Sequence, residues 1–508
     1  MNDAIIADAR EVVRAVPSDR ILANIGNIFK VTDLVTPRIF EQIAEEDRAY
    51  NFSKPANSID YFISHSWRTS GLEKGNAIAV FLHVRFAVLV ALTTLGIVSA
   101  VIGHRFRLSD TLCQSKTSID WLNDCLWAGS IPVLTGLVTM LFVRFGQHLL
   151  STSVDCFLDK ACIHQGNLAL KQPALQCLDI MLLYSRRMLV LWAPDYFDRL
   201  WCIYELATFM KLHPDAASRV DFIPTWMTTF VSVTFTVMVF SMPLIGLMST
   251  GPLLRLGMEV AGPYWGYALV HNLVCLVPIT MMGLACYQKV SQHMLMMRQM
   301  RNFKLDQAMC QDLSDKVFIL NVIDLMWSSS RESHDGKDNF ERYVREKLPV
   351  QLEAAIGMRS IVPYRIVMIA YLPLVCGHSM FGVLCDQHMV AGWGYSSAYM
   401  SPHSRSFAFF SGWMLYCLLN CCFCNPTSST LAQLVCACTM DRKWRPWVCA
   451  ALTIVTYGIS LNFFIDVIVA FVMLEPSGAN WRMRWIGLSV IMGAMTCACW
   501  NLPKRLVQ

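Results

Sequence analysis

The chain has 508 residues, of which 55% are hydrophobic and 16% are charged, and its mean hydropathy is positive. This composition excludes an average soluble domain and is typical of an integral membrane protein. The net charge of +5 is too small for this length to indicate nucleic acid as a partner. Charged residues are spread through residues 1–50, so a signal peptide is not predicted there.

The N-terminal segment, residues 1–54, contains apolar residues at helical spacing between Ala4 and Val16. This spacing predicts an amphipathic helix that packs against the rest of the protein. A first strand is predicted at residues 60–66, where a short apolar run ends in polar residues.

Long apolar runs predict about eight transmembrane helices, because roughly 20 such residues are needed to cross a bilayer. The runs are residues 77–103, 125–145, 226–248, 264–287, 361–384, 407–424, 446–474 and 485–500. They define a transmembrane hairpin at 79–145, a second hairpin at 226–287 and a four-helix region at 361–508. Each hairpin crosses the membrane twice, so the segments on either side of it lie on one face.

Three more strands are predicted at residues 154–158, 188–192 and 220–224, with helix-period segments between them. Together with the first strand they predict one parallel sheet in the order two-one-three-four, counted along the chain. The domain would then be split between residues 55–78 and 146–225. Helices predicted at 297–327 and 339–356 place a helical segment, residues 288–360, beside this sheet.

Four pieces of the sequence resemble the Toll/interleukin receptor (TIR) family. They are Phe62-Ile-Ser-His-Ser66, Phe157-Leu-Asp159, Leu189-Val-Leu-Trp192 and Arg199-Leu-Trp-Cys-Ile-Tyr-Glu-Leu206, the last being similar to the family's Trp-Cys-x-x-Glu-Leu. The resemblance covers roughly residues 55–225 and implies a flavodoxin-like α/β fold. The predicted fold class is therefore a flavodoxin-like parallel sheet interrupted by transmembrane hairpins. Some TIR domains hydrolyse NAD and others are signalling adaptors, so the resemblance implies two functions.

The resemblance also implies a catalytic residue, Glu205, which would engage the nicotinamide ribose while the glycosidic bond breaks through a cation-like transition state. Open α/β sheets bind ligands at the carboxyl ends of their strands. The candidate ligand-binding residues near those ends are Ser64, His65, Trp67, Asp159, Lys160 and Trp201. NAD is the substrate that this interpretation predicts, and no metal is expected. An ordinary structural role remains open as well, since a Glu in a first helical turn is stabilised by the helix dipole.

The chain contains 20 cysteines, but most lie in predicted spans or in predicted cytoplasmic segments, so no disulfide framework is indicated. Cys421, Cys422 and Cys424 cluster at the end of the sixth predicted span and are candidate palmitoylation sites. A zinc site shared with Cys436 and Cys438 would have poor ligand spacing. The third alternative is that these cysteines are small residues for helix packing.

The distribution of Lys and Arg predicts the orientation of the chain, since these residues are concentrated on the side of the predicted spans that carries the N-terminus. By the positive-inside rule, both termini and the TIR-like domain would face the cytoplasm. The lipid bilayer is then an expected partner, together with self-association or binding to other TIR-like domains.

Three functions are open at this stage. The first is a membrane-anchored TIR-like signalling or scaffold protein, and the second is a membrane-tethered NAD glycohydrolase that uses Glu205. The third is a transporter or channel, which would use ionisable residues within the spans. The candidates for that role are His271, Arg365 and Asp466.

Overall fold

The chain forms two compact units in the computed structural model. The first comprises Met1–His83, Arg144–Thr229 and Gln292–Arg359, and the second comprises Val84–Val143, Phe230–Ser291 and Ser360–Gln508. The structure describes residues 13–23, 49–109, 153–164, 166–226, 252–310, 313–330, 333–356, 431–438 and 441–456, together with isolated positions between them.

A six-stranded sheet lies at the centre of the described part of the first unit. Its strands are β1 (Arg14–Pro17), β2 (Lys54–Pro55), β3 (Ile59–His65), β4 (Asp155–Phe157), β5 (Ser185–Trp192) and β6 (Val220–Pro224). Their order in the sheet is β2-β1-β4-β3-β5-β6. Strands β4, β3, β5 and β6 run parallel, whereas β1 is antiparallel to both of its neighbours.

The parallel part of the sheet has the predicted strand order, with β3 between β4 and β5 and with β6 outermost. Phe62 pairs with Phe157 on one side, and Ile63 pairs with Leu189 on the other. The rings of Phe62 and Phe157 stack with their centroids 4.5 Å apart and are fully buried. This pair joins two strands that are distant in sequence through burial of apolar surface.

The predicted fold class is nevertheless wrong, because the sheet is mixed and not wholly parallel. The strands β1 and β2 were missed, and residues Arg14–Pro17, assigned to the end of an amphipathic helix, form β1. Val16 pairs with Cys156 of β4. A strand this short exists through its partner across the sheet, so its local spacing of valines was misleading. Residues 4–12 of the predicted helix lie outside the described residues.

Helices surround the sheet of the first unit. They are α1 (Ser18–Ala23), the start of α2 (Gly71–Ser109), α3 (Asp159–Cys162), α4 (Leu168–Gln176), α5 (Leu178–Leu183), α6 (Leu200–Leu212) and α7 (Ala216–Arg219). A 3₁₀ turn at Tyr196–Asp198 connects β5 to α6. Ile203, Leu206 and Met210 recur at helical spacing on α6 and are buried, so this helix packs its apolar face against the core.

The remaining helices of the first unit follow much later in the chain. They are the end of α8 (Pro252–Arg301), α9 (Leu313–Trp327), α10 (Gly336–Arg342) and α11 (Leu348–Ile356), with a 3₁₀ turn at Leu305–Gln307 and a π turn at Tyr343–Lys347. Helix α9 contacts α6, and α11 contacts α7 and β6. The continuous helix predicted at 297–327 is wrong, because α8 ends at Arg301 and Phe303 and Leu305 turn into the core.

The described part of the second unit is helical and includes most of α2 and α8 and the helical segments 431–437 and 445–456. Gly283 of α8 allows a close approach, since a Cβ at this position would lie 2.8 Å from the Cα of Ala450. The thiol of Cys449 donates to the carbonyl of Gly283 at 3.5 Å. The missing side chain is therefore what lets these two helices come into backbone contact.

The membrane predictions require correction. In the ranges that the structure describes, no helix is both long enough and apolar enough to cross a membrane. The predictions of about eight transmembrane helices, of a multi-pass membrane protein and of its cytoplasmic orientation are therefore wrong. Hydropathy counts the apolar residues of a run and ignores what the run packs against.

Several predictions fall outside the described residues. They are the runs 361–384, 407–424 and 485–500, most of 125–145, 226–248 and 446–474, the candidate palmitoylation sites Cys421, Cys422 and Cys424, and the transporter candidates Arg365 and Asp466.

Candidate functional site

A cleft lies at the carboxyl ends of β3 and β4 in the first unit, and α6 forms one of its walls. Its volume is about 720 Å³ when the open mouth is included. The residues that line it are His65, Trp67, Asp159, Ile163, Lys171, Leu175, Leu178, Arg199, Trp201, Cys202, Glu205 and Asp315. A cleft at this edge is where parallel α/β sheets bind their ligands.

Glu205 lies on α6 and reaches back to the end of β3. Its Oε2 is hydrogen-bonded to Ser64 Oγ at 2.5 Å, and Ser64 Oγ is in turn 2.7 Å from the hydroxyl of Tyr196. The same Tyr196 hydroxyl lies 3.2 Å from the carbonyl of Cys202. These contacts form a continuous chain of oxygens from the cleft into the core.

Glu205 is protonated when all three hydrogen bonds of this oxygen chain form. The three bonds need three protons, and Ser64 and Tyr196 carry one each, so Glu205 supplies the third. Burial raises the pKa of Glu205 to about 8, and the charge of Asp159 adds to this shift, whereas the Ser64 hydrogen bond and Arg199 oppose it. Glu205 is therefore largely neutral at neutral pH.

Asp159 has the opposite surroundings. The indole N–H of Trp67 donates to Asp159 Oδ2 at 2.6 Å, and the backbone N–H of Lys160 donates to Oδ1 at 2.7 Å. His65 Nε2 lies 3.3 Å from Oδ1. Burial opposes ionisation of Asp159, but His65 and the bonds from Trp67 and Lys160 outweigh it and hold its pKa well below the ordinary value. Asp159 is therefore a fixed anion.

Lys74, in the first turns of α2, places a buried amine behind this cluster, with only 1% of the residue exposed. Burial lowers its pKa to about 8, and the negative charge of Asp159 opposes this shift. The neighbourhood of the cleft thus holds three ionisable groups whose pKa values differ strongly from those in water, which is typical of functional sites.

The structure brings most of the predicted site residues together. His65, Trp67, Asp159, Trp201 and Glu205 all line the cleft. Ser64 lies behind Glu205 as its hydrogen-bond partner, and the Lys160 amine lies 5.0 Å from the centroid of the Trp67 ring. Glu205 lies in the second turn of α6, so the helix-dipole explanation for a first-turn Glu loses its basis.

Sequence reasoning missed four charged groups at or behind the cleft, namely Lys74, Lys171, Arg199 and Asp315. Arg199 directly precedes the Leu-Trp-Cys piece, so its position beside that motif was an available signal. Asp315 comes from α9, which is far in sequence from the other residues of the cleft, and only the tertiary fold places it here.

The fold and the cleft define a class of protein: an α/β domain with a mixed sheet and with a cleft that contains charged residues at the carboxyl edge of its parallel strands. Comparison of the chain with protein-family models, with curated proteins and with solved structures found no match. Its function has to be inferred from its own residues.

Proposed function

We propose that this protein is a TIR-like hydrolase that cleaves the N-glycosidic bond between nicotinamide and ribose in NAD, with Glu205 as the catalytic carboxylate. The observation that carries the proposal is the position of Glu205, which combines a raised pKa with a place in the wall of a cleft at the carboxyl ends of β3 and β4. The Trp-Cys-x-x-Glu-Leu piece and the order of the parallel strands support the same family.

The chemistry requires a negative charge beside the ribose. As the bond from the ribose C1′ to the nicotinamide nitrogen breaks, its electron pair neutralises the pyridinium ring and positive charge develops on the ribose. An ionised Glu205 stabilises that charge, because a fixed carboxylate lies where the positive charge develops. A water molecule then bonds to C1′ and releases one proton, so the products are nicotinamide and ADP-ribose.

Substrate binding itself supplies the ionised form of Glu205. Nicotinamide in NAD carries a positive charge, and a cation close to a carboxylate lowers its pKa. Glu205 is therefore neutral before NAD binds and loses its proton to solvent once the pyridinium ring lies beside it. The aromatic rings of Trp67 and Trp201 line the same cleft and offer surfaces on which nicotinamide can stack.

Release of nicotinamide from NAD by the purified full-length chain tests this proposal. The Glu205→Gln variant keeps the size of the side chain and its hydrogen bond to Ser64 but cannot become negative, so we expect its turnover to be abolished. Glu346→Gln is the matched control, because Glu346 is exposed on the π turn. Equal nicotinamide release by the Glu205 variant and the unchanged protein would rule out the assignment, and so would a folded protein that releases none.

A second candidate function is supported by α9. Leu313, Val317 and Leu325 share one face of this helix and are 79%, 60% and 83% exposed. Exposed apolar side chains in a row are typical of a surface that binds another protein. The corresponding candidate is a TIR-like scaffold in which this face binds a second copy of the chain.

The two candidates differ in what Val317→Asp changes. If the protein is a scaffold, Val317→Asp abolishes its self-association, as measured by sedimentation velocity. Neither the unchanged protein nor the variant then hydrolyses NAD. An enzyme that works as a monomer keeps its rate of nicotinamide release in the Val317 variant. Val350→Asp, at an exposed position of α11, controls for the added negative charge.

A further inference from the structure

The charged wall of the cleft consists of Lys171, Arg199 and Asp315, which come from α4, from the residue before α6 and from the first turn of α9. All three are partly exposed. Within the ranges that the structure describes, none of these side chains forms a hydrogen bond or an ion pair with another residue. Asp159 and Glu205 in the same cleft differ, since each has donors of its own.

The backbone around Arg199 is held from both sides by the segment before α9. The N–H of Met309 donates to the carbonyl of Asp198 at 2.8 Å, and the N–H of Leu200 donates to the carbonyl of Met309 at 3.0 Å. Gln299 of α8 adds a bond from its side-chain amide to the carbonyl of Pro194 at 2.8 Å. The guanidinium is therefore carried by a fixed backbone, which reduces the entropy that a ligand has to offset on binding.

Lys171 and Arg199 outnumber the one carboxylate of this wall, Asp315, so the wall is positive on balance and favours an anionic group of a ligand. A guanidinium offers a planar fork of N–H donors and an ammonium offers a compact charge, and both suit the oxygens of a phosphate. Because both side chains are partly exposed, they remain hydrated until a ligand replaces the water. Arg199 is also close enough to Glu205 to influence its pKa, so an anion bound here lies beside the proposed reacting centre.

We propose that Lys171 and Arg199 bind a phosphate group of the nucleotide substrate and that Asp315 accepts hydrogen bonds from a ribose hydroxyl. This inference rests on the proposed function and adds to it the residues that bind the phosphate and the ribose. The preferred substrate is a phosphorylated nucleotide, and a nucleoside without phosphate binds weakly. The phosphate site thereby fixes which ribose lies next to Glu205.

Isothermal titration of the full-length chain with ADP-ribose tests the phosphate site without any need for turnover. Lys171→Gln and Arg199→Gln each remove one charge, and the loss of a charge-assisted hydrogen bond is expected to weaken ADP-ribose binding about 10- to 100-fold. Lys337→Gln is the matched control, because Lys337 is exposed on α10 and does not line the cleft. Adenosine should bind weakly and equally to all four proteins.

The outcomes separate this inference from the proposed hydrolysis. If the cleft variants lose affinity for ADP-ribose but no protein releases nicotinamide, the phosphate site stands and the hydrolase proposal fails. If NAD is hydrolysed, Lys171→Gln should raise KM about tenfold or more with kcat nearly unchanged. Equal ADP-ribose affinity in all four proteins, or none in any, overturns the phosphate site. Binding of inorganic phosphate as tight as that of ADP-ribose would overturn its assignment to a nucleotide.

Discussion

Replacing Glu205 by Gln should change how the stability of the first unit depends on pH. The pKa of Glu205 is raised from 4.5 to about 8 in the folded protein. Between these two pH values the folded state keeps the proton while the unfolded state has lost it. The folded state then binds more protons, so the free energy of unfolding falls as pH rises from about 4.5 to 8. Below and above this window the contribution of Glu205 is constant.

The magnitude follows from the size of the shift. One pKa unit corresponds to about 1.4 kcal/mol, so the difference between 4.5 and about 8 corresponds to roughly 5 kcal/mol at most. Glu205 is partly exposed, and solvent screening reduces this figure. Across the window, we expect the free energy of unfolding of the unchanged protein to fall by about 2–5 kcal/mol relative to that of Glu205→Gln. The amide of Gln stays neutral at every pH and can still donate to Ser64.

Urea unfolding of both full-length proteins at several pH values measures this difference. Hydrogen exchange of peptides from β3 to β6 and α6 should report the same stability difference for the first unit alone. This matters because two compact units need not unfold in one transition. The other ionisable groups are the same in both proteins, so their contributions largely cancel in the comparison. A stability difference between the two proteins that stays constant across the window would show that Glu205 does not have a raised pKa.

Two further changes test the surroundings of the cleft. Tyr196→Phe removes one hydroxyl group from the oxygen chain. The protonated form of Glu205 then loses more hydrogen bonds than the ionised form does. We therefore expect the pKa of Glu205 to fall by about one unit or less, as measured by the pH dependence of unfolding. Gly336→Ala would put a Cβ 2.6 Å from the Cα of Asp324, so α9 and α10 must separate. We expect a loss of roughly 1–3 kcal/mol, seen as faster hydrogen exchange in both helices, and unchanged exchange there would contradict the close packing.

The four parallel strands could be predicted because buried strands consist of short apolar runs that can be recognised locally. Met188-Leu-Val-Leu-Trp192 is such a run, and it lies in β5. The strand β1 could not be predicted in this way, since Arg14-Ala-Val-Pro17 becomes a strand only through its pairing with β4 and β2. The membrane predictions failed for a related reason: hydropathy reports the composition of a run and does not identify its neighbours in space.

The candidate site, too, could be predicted only in part from local sequence patterns. His65, Asp159 and Glu205 could be located because each lies at a strand end or in a recognisable motif near one. Lys171 lies on α4, and Asp315 lies on α9. Neither position is marked by a local pattern, since a single charged residue on a helix is usually solvated. Only the contact between α9 and α6 brings Asp315 to the cleft.

The two partly exposed carboxylates Asp159 and Glu205 are kept in different protonation states by different surroundings, and this difference suggests different roles for them. Asp159 receives N–H donors that cannot give up their protons at neutral pH, so it stays ionised and fixes the positions of Trp67 and His65. Glu205 is bonded to a hydroxyl, which can donate or accept, so both of its protonation states can be satisfied. A pair of acids whose surroundings separate their pKa values is what acid–base chemistry requires. Glu205 is therefore the group that can respond to a cationic substrate, and Asp159 is the group that holds the cleft in place while it does so.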